Sequence, residues 1–96
     1  MRVFEVKDKS GRKIYLTDER WKHILKHPEM QDKLAIERIK ESLLNPVKII
    51  DVDEDVRYYY KHYKDIRSKA RYLRTIVKYL NEEGFIISSY FIEKIP

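Results

Sequence analysis

The chain contains no cysteine. Disulfide frameworks, thiolate nucleophiles, iron–sulfur clusters and cysteine-ligated zinc are therefore excluded by inventory. Glycine and proline are scarce, two and three residues of 96, which excludes collagen-like and loop-dominated classes. No run of eighteen apolar residues occurs, and the opening Met-Arg-Val-Phe-Glu-Val lacks the apolar stretch of a secretory signal. No membrane partner is expected, and a cytoplasmic address is the default. A P-loop, a dinucleotide fingerprint, a G-x-S-x-G elbow and a clustered carboxylate metal site are also missing, which argues against ATP hydrolysis, hydride transfer, serine hydrolysis and two-metal nuclease action.

What is present is a soluble globular composition, with 43% hydrophobic, 12% aromatic and 39% charged residues. Residues 1–96 read as one domain, because no linker, repeat or low-complexity segment divides them and the length leaves no room for a second core. A chain this short buries only about two-thirds of its surface on folding, so chemistry is expected on a surface groove rather than in a deep cavity.

The formal charge of +5 is unevenly distributed. Arg57 to Lys78 holds eight basic residues and the single acid Asp65, and an acidic turn at Asp51, Asp53, Glu54 and Asp55 precedes it. Tyr58, Tyr59, Tyr60, Tyr63 and Tyr72 are interleaved with those cations. Flat rings that stack on bases beside charges that neutralise phosphates suit single-stranded RNA. The competing reading is a solvated strand pair whose tyrosines cover the sheet and whose lysines blunt its edges.

Periodicity predicts a hairpin from residues 2–7 and 12–16, turned at Asp8-Lys9-Ser10-Gly11. Thr17 then caps a helix that stops near His27, where Pro28 disfavours helical geometry in the preceding residue. A second helix runs from Met30 or Gln31 to Leu44 and is stopped by Asn45-Pro46. Four strands follow at Val47–Val52, Arg57–Tyr63, Tyr72–Leu80 and Phe85–Ile92. The expected fold is α+β: an N-terminal β-hairpin, two helices, then a four-stranded antiparallel sheet with the helices packed on one face.

Three groups align on the first helix: Arg20, His23 and His27. Imidazole titrates near neutral pH and suits general acid–base work, and guanidinium grips phosphate with a two-pronged hydrogen bond. Two histidines capping a helix end beside Trp21 would explain the same spacing structurally. Zinc would need a third ligand, and Glu19, Glu29 and His62 form no recognised motif with the pair, so no metal and no cofactor are expected. On the last strand, Ser88 and Tyr90 share one face with Ile86 and Ile92, while Phe85, Ile87 and Phe91 are expected in the core. Arg74 and Lys78 alternate with apolar neighbours and are expected on the open face. Arg57, Tyr59, Lys61 and Tyr63 share one side of their strand, and Tyr58, Tyr60 and His62 the other. Periodicity leaves open which side faces inward. The chemistry these groups could perform is metal-free phosphoryl transfer, because RNA carries its own nucleophile in the 2′-hydroxyl and needs only a base, an acid and cations around the phosphorane.

The segment Tyr15-Leu-Thr-Asp-Glu-Arg-Trp-Lys-His23-Ile-Leu-Lys-His27-Pro-Glu-Met30, the helix end Leu43-Leu44-Asn45-Pro46 and the strand Phe85-Ile-Ile-Ser-Ser-Tyr-Phe91 resemble the phage-type members of the barnase, EndoU, colicin and RelE-like nuclease superfamily. The resemblance spans residues 13–93 and implies metal-independent RNA cleavage, often by a toxin held silent by an antitoxin protein. It carries the histidine helix onto His23 and His27, and the hydroxyl-x-tyrosine strand end onto Ser88 and Tyr90. Family members often have threonine then alanine where this chain has Ser88 and Ser89. The resulting expectation is a ribonuclease with His23 as base, His27 as acid or phosphate ligand, and Ser88 and Tyr90 orienting the phosphate. Arg20, Arg57, Tyr59, Lys61, Arg74 and Lys78 would hold the substrate. The alternatives are a module that binds RNA or an acidic protein on its tyrosine-rich basic face without cleaving it, and a protein-interaction domain.

Overall fold

The computed structural model describes all 96 residues. Strands β1 (Arg2–Lys7) and β2 (Lys13–Thr17) form the expected antiparallel hairpin. Its turn is fixed by the Asp8 carboxylate, which accepts the backbone N–H groups of Ser10 and Arg12 at 2.9 and 3.0 Å, and by Gly11 at φ +89°. Such a φ is open to glycine at no steric cost.

Helix α1 (Asp18–Ile24) starts at Thr17, whose hydroxyl accepts the Arg20 N–H at 3.2 Å, with Asp18 and Glu19 at the positive end of the helix. It ends at Ile24, so His23 lies in its last turn and His27 lies outside it. His27 is extended (φ −82°, ψ 116°), the conformation a residue before proline favours. A single 3₁₀ turn spans Pro28–Met30. Helix α2 (Ala35–Leu44) begins later than its apolar pattern suggested. Asp32 accounts for the delay, because its side chain accepts the Leu34 N–H at 2.8 Å and its carbonyl accepts the Ala35 N–H, which builds a turn ahead of the helix.

Strands β3 (Lys48–Asp51), β4 (Val56–His62), β5 (Tyr72–Leu80) and β6 (Glu83–Ile92) are consecutive antiparallel neighbours. The expectation of a separate four-stranded antiparallel sheet is nevertheless wrong. The hairpin joins these strands in one six-stranded mixed sheet of order β1-β2-β6-β5-β4-β3, in which β2 runs parallel to β6 through Lys13↔Glu83, Ile14↔Gly84 and Tyr15↔Phe85. A parallel pairing needs a long crossover, and here everything from α1 to β5 supplies it. Such a contact between distant segments leaves no local mark in the sequence.

Both helices contribute to a single core on one face of the sheet. Ile24, Met30, Ala35, Ile39 and Leu43 meet Ile14 and Leu16 of β2, Leu73, Val77 and Tyr79 of β5, and Ile86 and Phe91 of β6. Hydroxyls inside this layer satisfy one another: Ser42 Oγ lies 2.7 Å from Thr75 Oγ1, which lies 2.9 Å from Ser89 Oγ. Buried polar atoms require such partners. The alternation on β6 is broken by a bulge. Ile76 pairs with Ser88 and Val77 with Ile86, so Ile87 is the extra residue. Ile86 is therefore core, and Phe85 and Ile87, expected in the core, are only half-buried. Beyond the bulge Ser88 and Tyr90 face away from the helices and Ser89 and Phe91 toward them.

Candidate functional site

The face of the sheet away from the helices is built by the even-numbered residues of β4 and β5, whose register opposes Tyr60 to Arg74, Tyr58 to Ile76 and His62 to Tyr72. Arg74 in turn opposes Tyr90 of β6. Three strands thus bring Tyr60, Arg74 and Tyr90 into one row.

Arg74 is the centre of that row. Its Nε donates to the Tyr60 hydroxyl at 3.0 Å and its Nη1 to the Tyr90 hydroxyl at 3.2 Å. The guanidinium carbon lies 5.0, 5.4 and 5.8 Å from the ring centroids of Tyr58, Tyr60 and Tyr90. Partial burial works against its charge, but the hydrogen bonds it donates to Tyr90 and Tyr60 outweigh that and raise its pKa above the usual arginine value. Each phenol oxygen uses a lone pair on Arg74 and keeps its own O–H free to donate. Tyr60 is fully buried, so Tyr90, half-buried, is the phenol that can offer that proton to a ligand.

The chain after α1 passes along β6 beyond the point where β2 stops pairing. There the His27 ring packs on Tyr90 with centroids 5.3 Å apart. Tyr90 is therefore in contact with His27 on one side and Arg74 on the other, with Ser88 two residues away on the same face. Lys78 is on this face further along β5, with Nζ 4.0 Å from Asp55. At the other end His62 packs on Tyr72 at 4.8 Å.

Other expected site residues lie elsewhere. His23 is exposed on the last turn of α1 and Arg20 half-buried on its first, and neither side chain makes a hydrogen bond, ion pair or ring contact with the row. Arg57, Tyr59 and Lys61 are on the helix side of β4, the opposite face from Arg74. Arg57 Nε donates to Asp51 at 2.7 Å, and Lys61 Nζ to the Asn45 carbonyl at 2.9 Å, where it caps the end of α2. Tyr59 is buried, and its hydroxyl bonds to that of Tyr79. The Tyr79 hydroxyl donates onward to Asp8 at 3.1 Å. Burial, the Tyr59 hydroxyl and the Asp8 charge push the Tyr79 phenol far above the usual range. Asp8 is held below its usual value: burial opposes its charge, but the Ser10 hydroxyl, the Arg12 N–H and Tyr79 together prevail.

Tyr58 and Tyr60 share this face with Arg74. They are set there by the register with β5, which no pattern inside β4 reveals. No three His, Asp or Glu side chains come together in a way that could hold a metal ion. No helix is long and apolar enough to cross a membrane. In comparisons with known proteins, no family model, no curated protein and no solved structure matched the chain.

Proposed function

We propose that the chain is a metal-independent RNA endonuclease working on the open face of its sheet. The observation that carries this reading is Arg74, a cation hydrogen-bonded to two phenols, one of which, Tyr90, packs against an imidazole. Arg74 would bind the scissile phosphate and offset the charge that builds on the phosphorane, and Lys78, about 13 Å along β5, would hold a neighbouring phosphate. His27 would act as the acid or base, with Tyr90 donating its free O–H to a phosphate oxygen and Ser88 beside it. The nucleophile is the substrate's own 2′-hydroxyl, and the products are a cyclic 2′,3′-phosphate and a free 5′-hydroxyl. Tyr58 and Tyr72 offer stacking surfaces on either side of that row. The resemblance of the histidine segment and the Ser-Ser-Tyr strand to phage-type nucleases of the barnase and RelE-like superfamily supports the same chemistry, and with it an antitoxin as a protein partner. His23, without contact to Arg74 or Tyr90, is the weaker candidate of the two histidines.

The test is incubation of pure protein with mixed cellular RNA in EDTA. Discrete fragments ending in cyclic phosphate are expected, and they should disappear in His27→Ala and Arg74→Ala. Intact RNA after long incubation, with salt-sensitive binding retained, would replace the nuclease reading with an RNA-binding module on the same face.

A further inference from the structure

The two edges of the sheet are unequally protected. Strand β1 closes one side with Arg2, Glu5 and Lys7 exposed along it, and Arg2 is ion-paired to Glu5 and Glu83. Charges placed this way discourage another strand from pairing. Strand β3 closes the other side and pairs only with β4. Along it and its two flanking residues the exposed side chains include Val47, Ile49 and Val52, which are 56%, 46% and 50% exposed. An apolar edge of this kind is a template for a further strand.

The pairing with β4 decides which backbone groups of this edge are unused. The Val52 N–H donates to the Val56 carbonyl at 3.0 Å, and hydrogen-bonded pairs in an antiparallel ladder recur at every second residue. Ile50 and Lys48, opposite Tyr58 and Tyr60, therefore also turn their amides toward β4. The N–H and C=O groups of Ile49 and Asp51 point outward, four groups with no partner in the sheet. We propose that β3 pairs with β3 of a second copy of the chain, antiparallel about a two-fold axis at Ile50, joining two six-stranded sheets into one of twelve strands.

Backbone geometry and charge select this occupant and this register. Residues directly opposite in an antiparallel pair share a face, so a two-fold must pass through one residue position. With Ile50 on the axis, Ile49 lies opposite the partner's Asp51 on both sides, and all four outward groups of each copy are used in four hydrogen bonds. With Ile49 on the axis, Asp51 would meet the partner's Val47, whose N–H is already given to the Tyr60 carbonyl at 2.7 Å. The charges agree. Asp51 is held by Arg57 and Asp55 by Lys78, but Lys48 at one end of the strand and Asp53 and Glu54 beyond the other have no ion partner in their own chain. Antiparallel pairing lays each Lys48 end over the other copy's acidic turn, whereas parallel pairing would lay acid on acid. The axis is perpendicular to the sheet, so both copies turn their Arg74 rows to the same side. The pairing itself does not depend on what binds those rows.

Sedimentation equilibrium of the full chain, from micromolar to millimolar protein, is expected to move from 11.8 kDa toward twice that mass. Val52→Lys, at an exposed position just outside the strand, sets a lysine opposite Lys48 on each side of the axis. It should raise the dissociation constant about tenfold, with the circular dichroism spectrum unchanged. The absence of cysteine allows a sharper test of register. In Ile50→Cys the two thiols would stand on Cα atoms about 4.5 Å apart, within disulfide reach, whereas in Lys48→Cys they would be about 14 Å apart. Oxidation with copper phenanthroline should therefore convert Ile50→Cys to a covalent dimer on a non-reducing gel and leave Lys48→Cys, and Lys7→Cys on the β1 edge, as monomers. A chain that stays monomeric throughout, a dimer indifferent to Val52→Lys, or crosslinking at Lys48→Cys or Lys7→Cys in place of Ile50→Cys overturns the assignment.

Discussion

The two faces of the sheet handle polar side chains in opposite ways. Toward the helices, hydroxyls and charges close on one another: Ser42, Thr75 and Ser89 form one relay, Tyr59, Tyr79 and Asp8 another, and Arg57 and Lys61 are engaged by Asp51 and Asn45. On the other face Arg74 organises two phenols and leaves the half-buried Tyr90 a proton to donate, with the His27 ring packed against it. A group whose hydrogen bonds all return to the protein holds the fold, and a group with capacity left over can serve a ligand.

The largest effects should come from the open face. His27→Ala is expected to slow RNA cleavage by roughly 10²–10⁴, the usual worth of a general acid or base. Arg74→Ala should cost about 10²–10³, as removal of a transition-state donor does. Both are read from initial rates on a labelled oligonucleotide, with circular dichroism as the check on folding. His23→Ala should remain near the wild-type rate. A large loss at His23 with none at His27 would mean that substrate approaches from the helix rather than the sheet, and the division between faces would lose its meaning for catalysis.

On the helix side the same kind of substitution should move stability instead. Asp8→Asn removes a carboxylate whose side chain is 6% exposed and which accepts from Ser10, Arg12 and Tyr79, at a cost of about 1–3 kcal/mol. The folded Asp8 has a pKa below that of the unfolded chain. Its contribution is therefore complete above the unfolded value, about 3.9, and is lost as pH falls through the lower folded value. Melting curves of wild type and Asp8→Asn should differ by a constant amount near neutral pH and converge in acid. A difference that grew in acid would mean that Asp8 is not held ionised by these bonds. Gly84→Ala belongs to the same class: a Cβ there would sit 2.9 Å from Tyr79 Cε1 and from Val77 Cγ1, an overpacking that costs about 1–3 kcal/mol with no direct effect on the open face.

Much of this contrast could be read before any coordinates. Alternation on β5 separated Arg74 and Lys78 from Leu73 and Val77, and the residues after the β6 bulge fell on the faces their parity predicted. The proline rule put His27 at a break in the chain, where it is free to lean onto Tyr90. What the sequence concealed has a common cause, which is pairing between distant segments. The bulge at Ile87 shifts the alternation of Phe85 and Ile86 by one, but shows only against the partner strand β5. The orientation of β4 is set by the register Tyr60↔Arg74, and within the run Arg57-Tyr-Tyr-Tyr-Lys-His62 both faces mix aromatic and basic groups with no apolar stripe to mark the inward one. Arg57, Tyr59 and Lys61, expected on one surface with Arg74, lie on the opposite face of the sheet. The parallel contact of β2 with β6 is hidden in the same way, and it leaves the β6 edge open for the histidine segment.

The smallest effect is the most discriminating. Lys78→Ala and Lys61→Ala each remove one positive charge from the same basic stretch, but from opposite faces, and both positions are half-buried rather than core. If RNA lies on the open face, Lys78→Ala should weaken binding and lower the slope of log affinity against log salt by about 1, one phosphate contact fewer. Lys61→Ala should leave that slope unchanged, because its ammonium is already engaged at the end of α2 and the loss is felt only as a slightly weaker general field. Equal slopes for the two variants would mean that the chain attracts RNA by its net charge without a preferred face. Binding would then no longer distinguish the Arg74 row from the rest of the basic surface.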